Sequence, residues 1–138
     1  MKILTVPDKR LRQKAQPVYT ITKVLRLQAL KMLEIVGNNL GLAATQVGLD
    51  SAMFVTNYDG PRVFVNPTII KYGLQRTEEA CLSVPGVIGT VTRAREVVIQ
   101  AQGLGGETFI VEETGYPAAV LQHEYDHLQG ILFTDKIK

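Results

Sequence analysis

The run Leu121-Gln122-His123-Glu124-Tyr125-Asp126-His127-Leu128 holds both histidines of this 138-residue chain, four residues apart, with a glutamate directly after the first. On an α-helix, positions i and i+4 share one face, so the two imidazoles can point at a common metal ion. Glu124 then sits beside that ion, placed to move protons to and from a bound water. Taken alone, the run is equally a surface helix with an accidental histidine pair, since HExxH strings arise by chance. Its flanks support a helix. Pro117 suits a first helical turn, and Gly130 closes the segment.

Working outward from that helix, the chain upstream is rich in strand signals. Glu96–Ala101 and Thr108–Val111 flank Gly103-Leu104-Gly105-Gly106 and read as a hairpin. Ala52–Thr56 and Arg62–Val65 are strand-like, separated by the turn Tyr58-Asp59-Gly60-Pro61. Asn66-Pro67 then interrupts, so Thr68–Ile70 is expected to begin a separate strand or an edge. Further back, Val24, Leu25, Ala29, Met32, Leu33 and Val36 recur at helical spacing, and Gly37-Asn38-Asn39 ends that helix. Residues 1–19 read as an extended or irregular lead-in, with Lys9 to Lys14 as a solvated loop. The expected fold is α+β. Antiparallel strands pack around a central C-terminal HExxH helix, with one N-terminal amphipathic helix, in a single domain over residues 1–138.

Composition bounds the function. A net charge of +2 with no long basic block argues against a nucleic-acid partner. No apolar run is long enough for a membrane span, and the first residues lack the pattern of a signal or transit peptide. One cysteine cannot form an intramolecular disulfide. A reducing, cytoplasmic setting follows as the expectation.

A catalytic zinc-type site uses three protein ligands and leaves one position for water. His123 and His127 supply two. The third is either a distant Asp or Glu, or Cys81, which lies in Glu78-Glu79-Ala80-Cys81-Leu82-Ser83-Val84-Pro85-Gly86. A lone cysteine is more often a small buried hydrophobe, but polar residues and a turn flank this one. Leu40-Gly41-Leu42-Ala43-Ala44-Thr45-Gln46-Val47-Gly48 is a run of small residues beside one glutamine. It suits either a close backbone approach or a buried turn.

Three segments in this order resemble the signature motifs of the peptide deformylases. Asn39–Gln46 is similar to GxGLAAxQ, Glu79–Ser83 to EGCLS, and Gln122–His127 to QHExDH. The likeness extends to Pro7–Arg12, Val65-Asn66-Pro67 and Arg93-Ala94. It implies that Cys81, His123 and His127 hold one divalent metal, iron(II) in the cell and replaceable by zinc, nickel or cobalt. It implies removal of the N-formyl group from the N-terminal methionine of nascent chains, with release of formate. Glu124 would shuttle protons. The Gln46 amide and the Leu82 backbone N–H would donate to the oxyanion. Leu40, Gly41 and Leu42 would give main-chain contacts to a peptide added as a strand. Ala119, Val120 and His123 would line one wall of the methionine pocket, with Leu82 on another side.

Two motif glycines are replaced, by Asn39 and Ala80. A methyl at 80 would crowd the peptide or shift Cys81 if a glycine conformation were required there. This motivates a second reading, a deformylase-like protein with altered or lost activity that binds acylated peptide N-termini. A zinc peptidase built on the HExxH helix is a third. Many bacterial deformylases continue into a C-terminal helix associated with the ribosome. This chain resembles compact members without it, so ribosome docking by that route is not expected, and a monomer is.

Overall fold

The computed structural model of the protein describes residues 1–73 and 75–137. Helix α1 (Lys23–Val36) begins at Thr22, whose hydroxyl accepts the Leu25 N–H at 3.1 Å. It buries Leu25, Ala29, Met32 and Val36, spaced to form one stripe. Val24, expected on that stripe, is instead 63% exposed, because it precedes Leu25 by one 100° step around the helix.

Among the described residues, seven strands follow in two antiparallel sheets. β1 (Gly41–Ala43), β2 (Met53–Thr56), β3 (Arg62–Tyr72), β6 (Glu96–Gln102) and β7 (Thr108–Thr114) form one sheet in the order β1-β2-β3-β6-β7. β4 (Gln75–Cys81) and β5 (Val84–Arg93) form a separate two-stranded sheet. The expected break at Asn66-Pro67 is not a break. β3 runs through it, and the register against β6 shifts between Val65 and Thr68. Pro67 has no N–H for the ladder, and Asn66 takes φ 51°, so one residue is accommodated as a bulge. Asn66 secures the bulge. Its side chain accepts the Val18 N–H at 2.8 Å and donates to the Val18 carbonyl and to Gln102 Oε1 at 2.7 and 2.8 Å.

The β4–β5 pair was not legible as strands. β4 alternates exposed Arg76, Glu78 and Ala80 with buried Thr77 and Glu79, but its buried positions are polar, and β5 buries Val84 and then exposes the run from Pro85 to Ile88, so neither shows an apolar alternation.

The large sheet lies between the two helices, and strand alternation sorts its side chains. Leu42, Met53, Val55 and Val65 turn toward α1. Ala43, Phe54, Phe64, Val97 and Ile99 turn the other way, against Leu121 and Leu128 of helix α2 (Gly115–Leu128). Phe54 and Phe64 stack there with centroids 4.7 Å apart. Pro117 is the third residue of α2, where its missing N–H costs no helical bond.

The lead-in is better anchored than a solvated loop. Lys9–Arg12 forms a 3-10 turn whose Leu11 is fully buried beside Val84, Val91, Leu132 and Phe133. Arg10 and Arg12 pair with Asp8 and Asp135, so the two arginines of the basic run are neutralised where they stand. Among the described residues, no helix is long and apolar enough to cross a membrane.

Candidate active site

Helix α2 is unusual in burying its polar residues. Gln122, His123, Glu124, Asp126 and His127 are all within the protein. Each must therefore be paired, or reserved for something else. The Gln122 amide is a structural peg. It accepts the Ala94 N–H at 2.8 Å and donates to the Ala94 carbonyl at 2.8 Å, fixing α2 against the end of β5.

His123 and His127 follow helical spacing onto one face, with ring centroids 5.1 Å apart. Cys81 closes β4 opposite them, its Sγ 3.2 Å from His127 Nε2. One donor atom from each of Cys81, His123 and His127 lies within 4.8 Å of the others. The two sheets meet here, and the fold brings Cys81, from a distant part of the chain, to the two histidines.

A buried ionic network orients the set. His123 Nδ1 bonds Glu79 Oε1 at 2.7 Å, which leaves Nε2 as its free donor atom. Arg93 grips Glu79 with two bonds of 2.9 and 2.7 Å and reaches Asp126 at 2.6 Å. Lys136 adds a second cation to Asp126 at 2.7 Å. Burial alone would raise the Glu79 carboxyl, but bonds from Arg93 and His123 outweigh it and hold the group at about 2. Burial likewise pushes His123 down, yet its bonds to Cys81 and Glu79 and the Glu124 charge carry it up to about 10. His127 goes the other way. Burial, with the positive charge of His123 and Arg93, lowers it well below the ordinary imidazole value.

These residues fit a metal. A thiol and two imidazoles form a donor set that suits iron, zinc, nickel or cobalt. The Glu79 carboxylate on His123 Nδ1 orients that ring, while His127 is held in its neutral, ligating form. Glu124 adds the remaining signal. It is buried, burial pushes its carboxyl up to about 7, and its Oε1 has no partner among the described residues. Such an unpaired buried oxygen points to a function outside the protein's own bonding.

Gln46 faces the same space from the 3-10 turn Ala44–Val47 that follows β1. Its Oε1 accepts the Ala43 N–H at 2.9 Å, so Nε2 is turned toward Cys81 Sγ at 3.4 Å and Ser83 Oγ at 3.1 Å. A cavity of about 520 Å³ opens over these groups. Leu40, Gly41, Ala80, Leu82, Ala119 and Val120 all line it, as do Gln46, Cys81, His123 and Glu124.

Leu42 does not line it. Its side chain is fully buried on the α1 side of the sheet. Leu40 accepts the Asn57 N–H at 3.0 Å and Leu42 lies opposite Val55, so antiparallel alternation turns both main chains toward β2. Gly41 is the residue whose main chain faces outward on this edge strand. Its lack of a side chain also makes room for Glu124, since a Cβ there would lie 2.7 Å from Glu124 Oε2 in its present position.

The replaced glycines impose no strain. Among the described residues Asn66 is the one non-glycine with positive φ, so neither Asn39 nor Ala80 occupies the left-handed region. Ala80 falls where the β4–β5 register shifts, with its methyl exposed at the cavity. Several contributors carry no signal of their role in the local sequence. Glu79, Arg93 and Asp126 stood inside the quoted motifs, but charges that meet only across β4, β5 and α2 give no local pattern. Tyr116, half exposed at the cavity mouth, gave none either.

A buried HExxH helix, one facing thiol, an unpaired glutamate and an amide donor at a shared cavity define a metal-dependent hydrolase centre. The chain belongs to the polypeptide deformylase family, whose sequence model matches residues 1–138. It is 41% identical over 144 aligned positions to a peptide deformylase of Neisseria meningitidis, covering 99% of this chain and 86% of that one. It is also 41% identical to one from Desulfitobacterium hafniense, covering 99% and 94%. The crystal structure of peptide deformylase from Thermotoga maritima superposes with a TM-score of 0.95 at 34% identity, covering 99% of this chain and 97% of that one. A peptide deformylase from Synechococcus elongatus in complex with actinonin gives 0.96 at 34% identity, covering 100% and 79%.

Proposed function

We propose that this protein removes the N-formyl group from the N-terminal methionine of newly made proteins in the cytoplasm, releasing formate. One observation carries the assignment: Glu124 and the Gln46 amide converge on the cavity that holds the Cys81, His123 and His127 donors. Those three residues would hold a divalent metal, which when bound supplies Lewis acidity and lowers the pKa of water. We assign iron(II) as the metal in the cell, with zinc, nickel or cobalt able to replace it in purified protein.

The chain's own groups do the rest. Glu124 takes the proton of the attacking water and delivers it to the leaving amine, a transfer worth typically 10²- to 10⁴-fold. The Gln46 Nε2 and the Leu82 backbone N–H donate to the oxyanion that develops on the formyl oxygen, each such donor contributing roughly 3 kcal/mol. The peptide adds as a strand along the outward edge at Gly41, which reads main chain and tolerates varied sequence. The methionine side chain lies against Ala119 and Val120, with Leu82 across from them. Ala80 is compatible with turnover, since its backbone needs none of glycine's freedom.

The test is formate release from formyl-Met-Ala-Ser by protein prepared with iron(II) under anaerobic conditions. Glu124→Gln should retain metal and fold while losing at least ~10²-fold in kcat. Wild-type protein with full metal content that leaves the peptide untouched would refute the assignment.

A further inference from the structure

The Gln46 side chain is held by more than its own turn. Ala43 N–H can only donate, so its 2.9 Å bond to Oε1 fixes which end of the amide faces the donors. One bond alone leaves the amide plane free to swing about that contact. The second anchor is Ser83, fully buried, whose Oγ accepts from Nε2 at 3.1 Å. With both anchors in place, one Nε2 hydrogen is committed to Ser83. The other is aimed at the side of Cys81 Sγ, 3.4 Å away.

The backbone builds this contact across the two sheets. Gln46 follows β1 of the large sheet, and Ser83 lies in the tight β4–β5 turn. The N-terminal lead-in stitches them together. Leu4 N–H donates to the Gln46 carbonyl at 2.7 Å, and Val6 N–H donates to the Ser83 carbonyl at 2.9 Å. Gln46 and Ser83 are thus tied to residues two apart on one extended segment, which holds their side chains within reach of each other.

We propose that Ser83 is a positioning residue for the reaction: its hydroxyl oxygen locks the Gln46 amide so that the remaining N–H is preset for the oxyanion. Preset donors stabilise developing charge without reorganising at the moment of reaction. Ser83 touches neither the metal donors nor the substrate in this role. The proposal rests on the assignment of Gln46 as an oxyanion donor.

A double-mutant cycle on the iron- or nickel-loaded protein, with formyl-Met-Ala-Ser as substrate, tests it. Ser83→Ala should lower kcat on the order of tenfold, a fraction of the 10²- to 10³-fold cost of deleting a donor outright, with KM and metal content unchanged. In a Gln46→Ala background the same Ser83→Ala change should have little further effect, because there is no amide left to hold. Equal losses in both backgrounds, or no loss with Gln46 present, would overturn the proposal. If Gln46→Ala itself leaves kcat unchanged, the oxyanion assignment fails first, and the two failures are distinguishable. A measurement on unmutated, zinc-loaded protein stands independently of how the variants fold. The two Gln46 side-chain amide hydrogens should differ in hydrogen exchange, one protected by Ser83. Two equivalent, rapidly exchanging hydrogens would equally overturn it.

Discussion

Gly41 shows how one missing side chain shapes the centre. Its hydrogen occupies the space into which Glu124 folds, and a Cβ would meet Oε2, Cγ and Cδ of that residue at 2.7, 2.8 and 2.9 Å. Gly41→Ala is expected to displace the carboxylate without unfolding the sheet. A shift of about 1 Å at a catalytic group can cost on the order of 10²-fold, and kcat for formate release should fall by 10- to 100-fold. Metal content, measured by elemental analysis, should stay level. Arg93 makes the opposite kind of contribution. Its side chain is 1% exposed and neutralises Glu79 and Asp126 together. Arg93→Met would leave two buried carboxylates with one cation fewer between them, and urea unfolding should show a loss of about 3–5 kcal/mol.

At the scale of elements, the bulge in β3 decides how the sheet meets the lead-in. Asn66 combines a left-handed backbone with three side-chain bonds, two of them to the main chain of Val18. Alanine would lose all three and bear the φ strain, so Asn66→Ala should cost about 2–4 kcal/mol in chemical denaturation. Asn66→Gly relieves the strain and should lose less. The strand break expected at this point failed for an instructive reason. Proline forbids one ladder bond, and a single extra residue absorbs that loss without ending the strand. The β4–β5 pair escaped sequence reading for a different cause. Its buried positions in β4, Thr77 and Glu79, alternate with exposed Arg76, Glu78 and Ala80 but are polar, and its apolar anchors are Val84 and Val91 of β5, beside Leu11 and Phe133.

Across the whole molecule, the two chain ends meet under the site. Arg12 pairs with Asp135, and the Leu132 N–H also donates to that carboxylate at 3.1 Å. Gly130, at φ 77°, passes so close to the lead-in that a Cβ would lie 2.3 Å from the Arg12 carbonyl oxygen. Gly130→Ala therefore combines a backbone penalty with a clash that no rotamer relieves. It should destabilise by roughly 3 kcal/mol or more and expose residues 1–15 to proteolysis. Acid should loosen the same junction. The Arg12 bond, opposed only by partial burial, holds Asp135 below its ordinary carboxylate value of 3.8. A depressed folded pKa means this contribution is fully present above the unfolded value and is lost as pH falls through the folded one. An NMR titration of Asp135 should place its midpoint below 3.8, and Arg12→Ala should return it toward that value.

By itself, the sequence determined whatever depends on local spacing. The i, i+4 histidines, the α1 periodicity that placed Leu25, Ala29, Met32 and Val36 correctly and Val24 wrongly, and the β6–β7 hairpin are all local signals. The three ordered motifs also pointed to Cys81, Gln46 and Glu124 before any geometry was known. Only the tertiary structure decided what those residues can do together. It set Cys81 Sγ 3.2 Å from His127, made Glu79 and Arg93 the support of His123, and turned Leu42 into the core while leaving Gly41 on the open edge. The physical reason is common to all of these. Metal donors, buried ion pairs and close backbone approaches are made between segments far apart in the chain, and their energies depend on burial that no stretch of sequence carries alone.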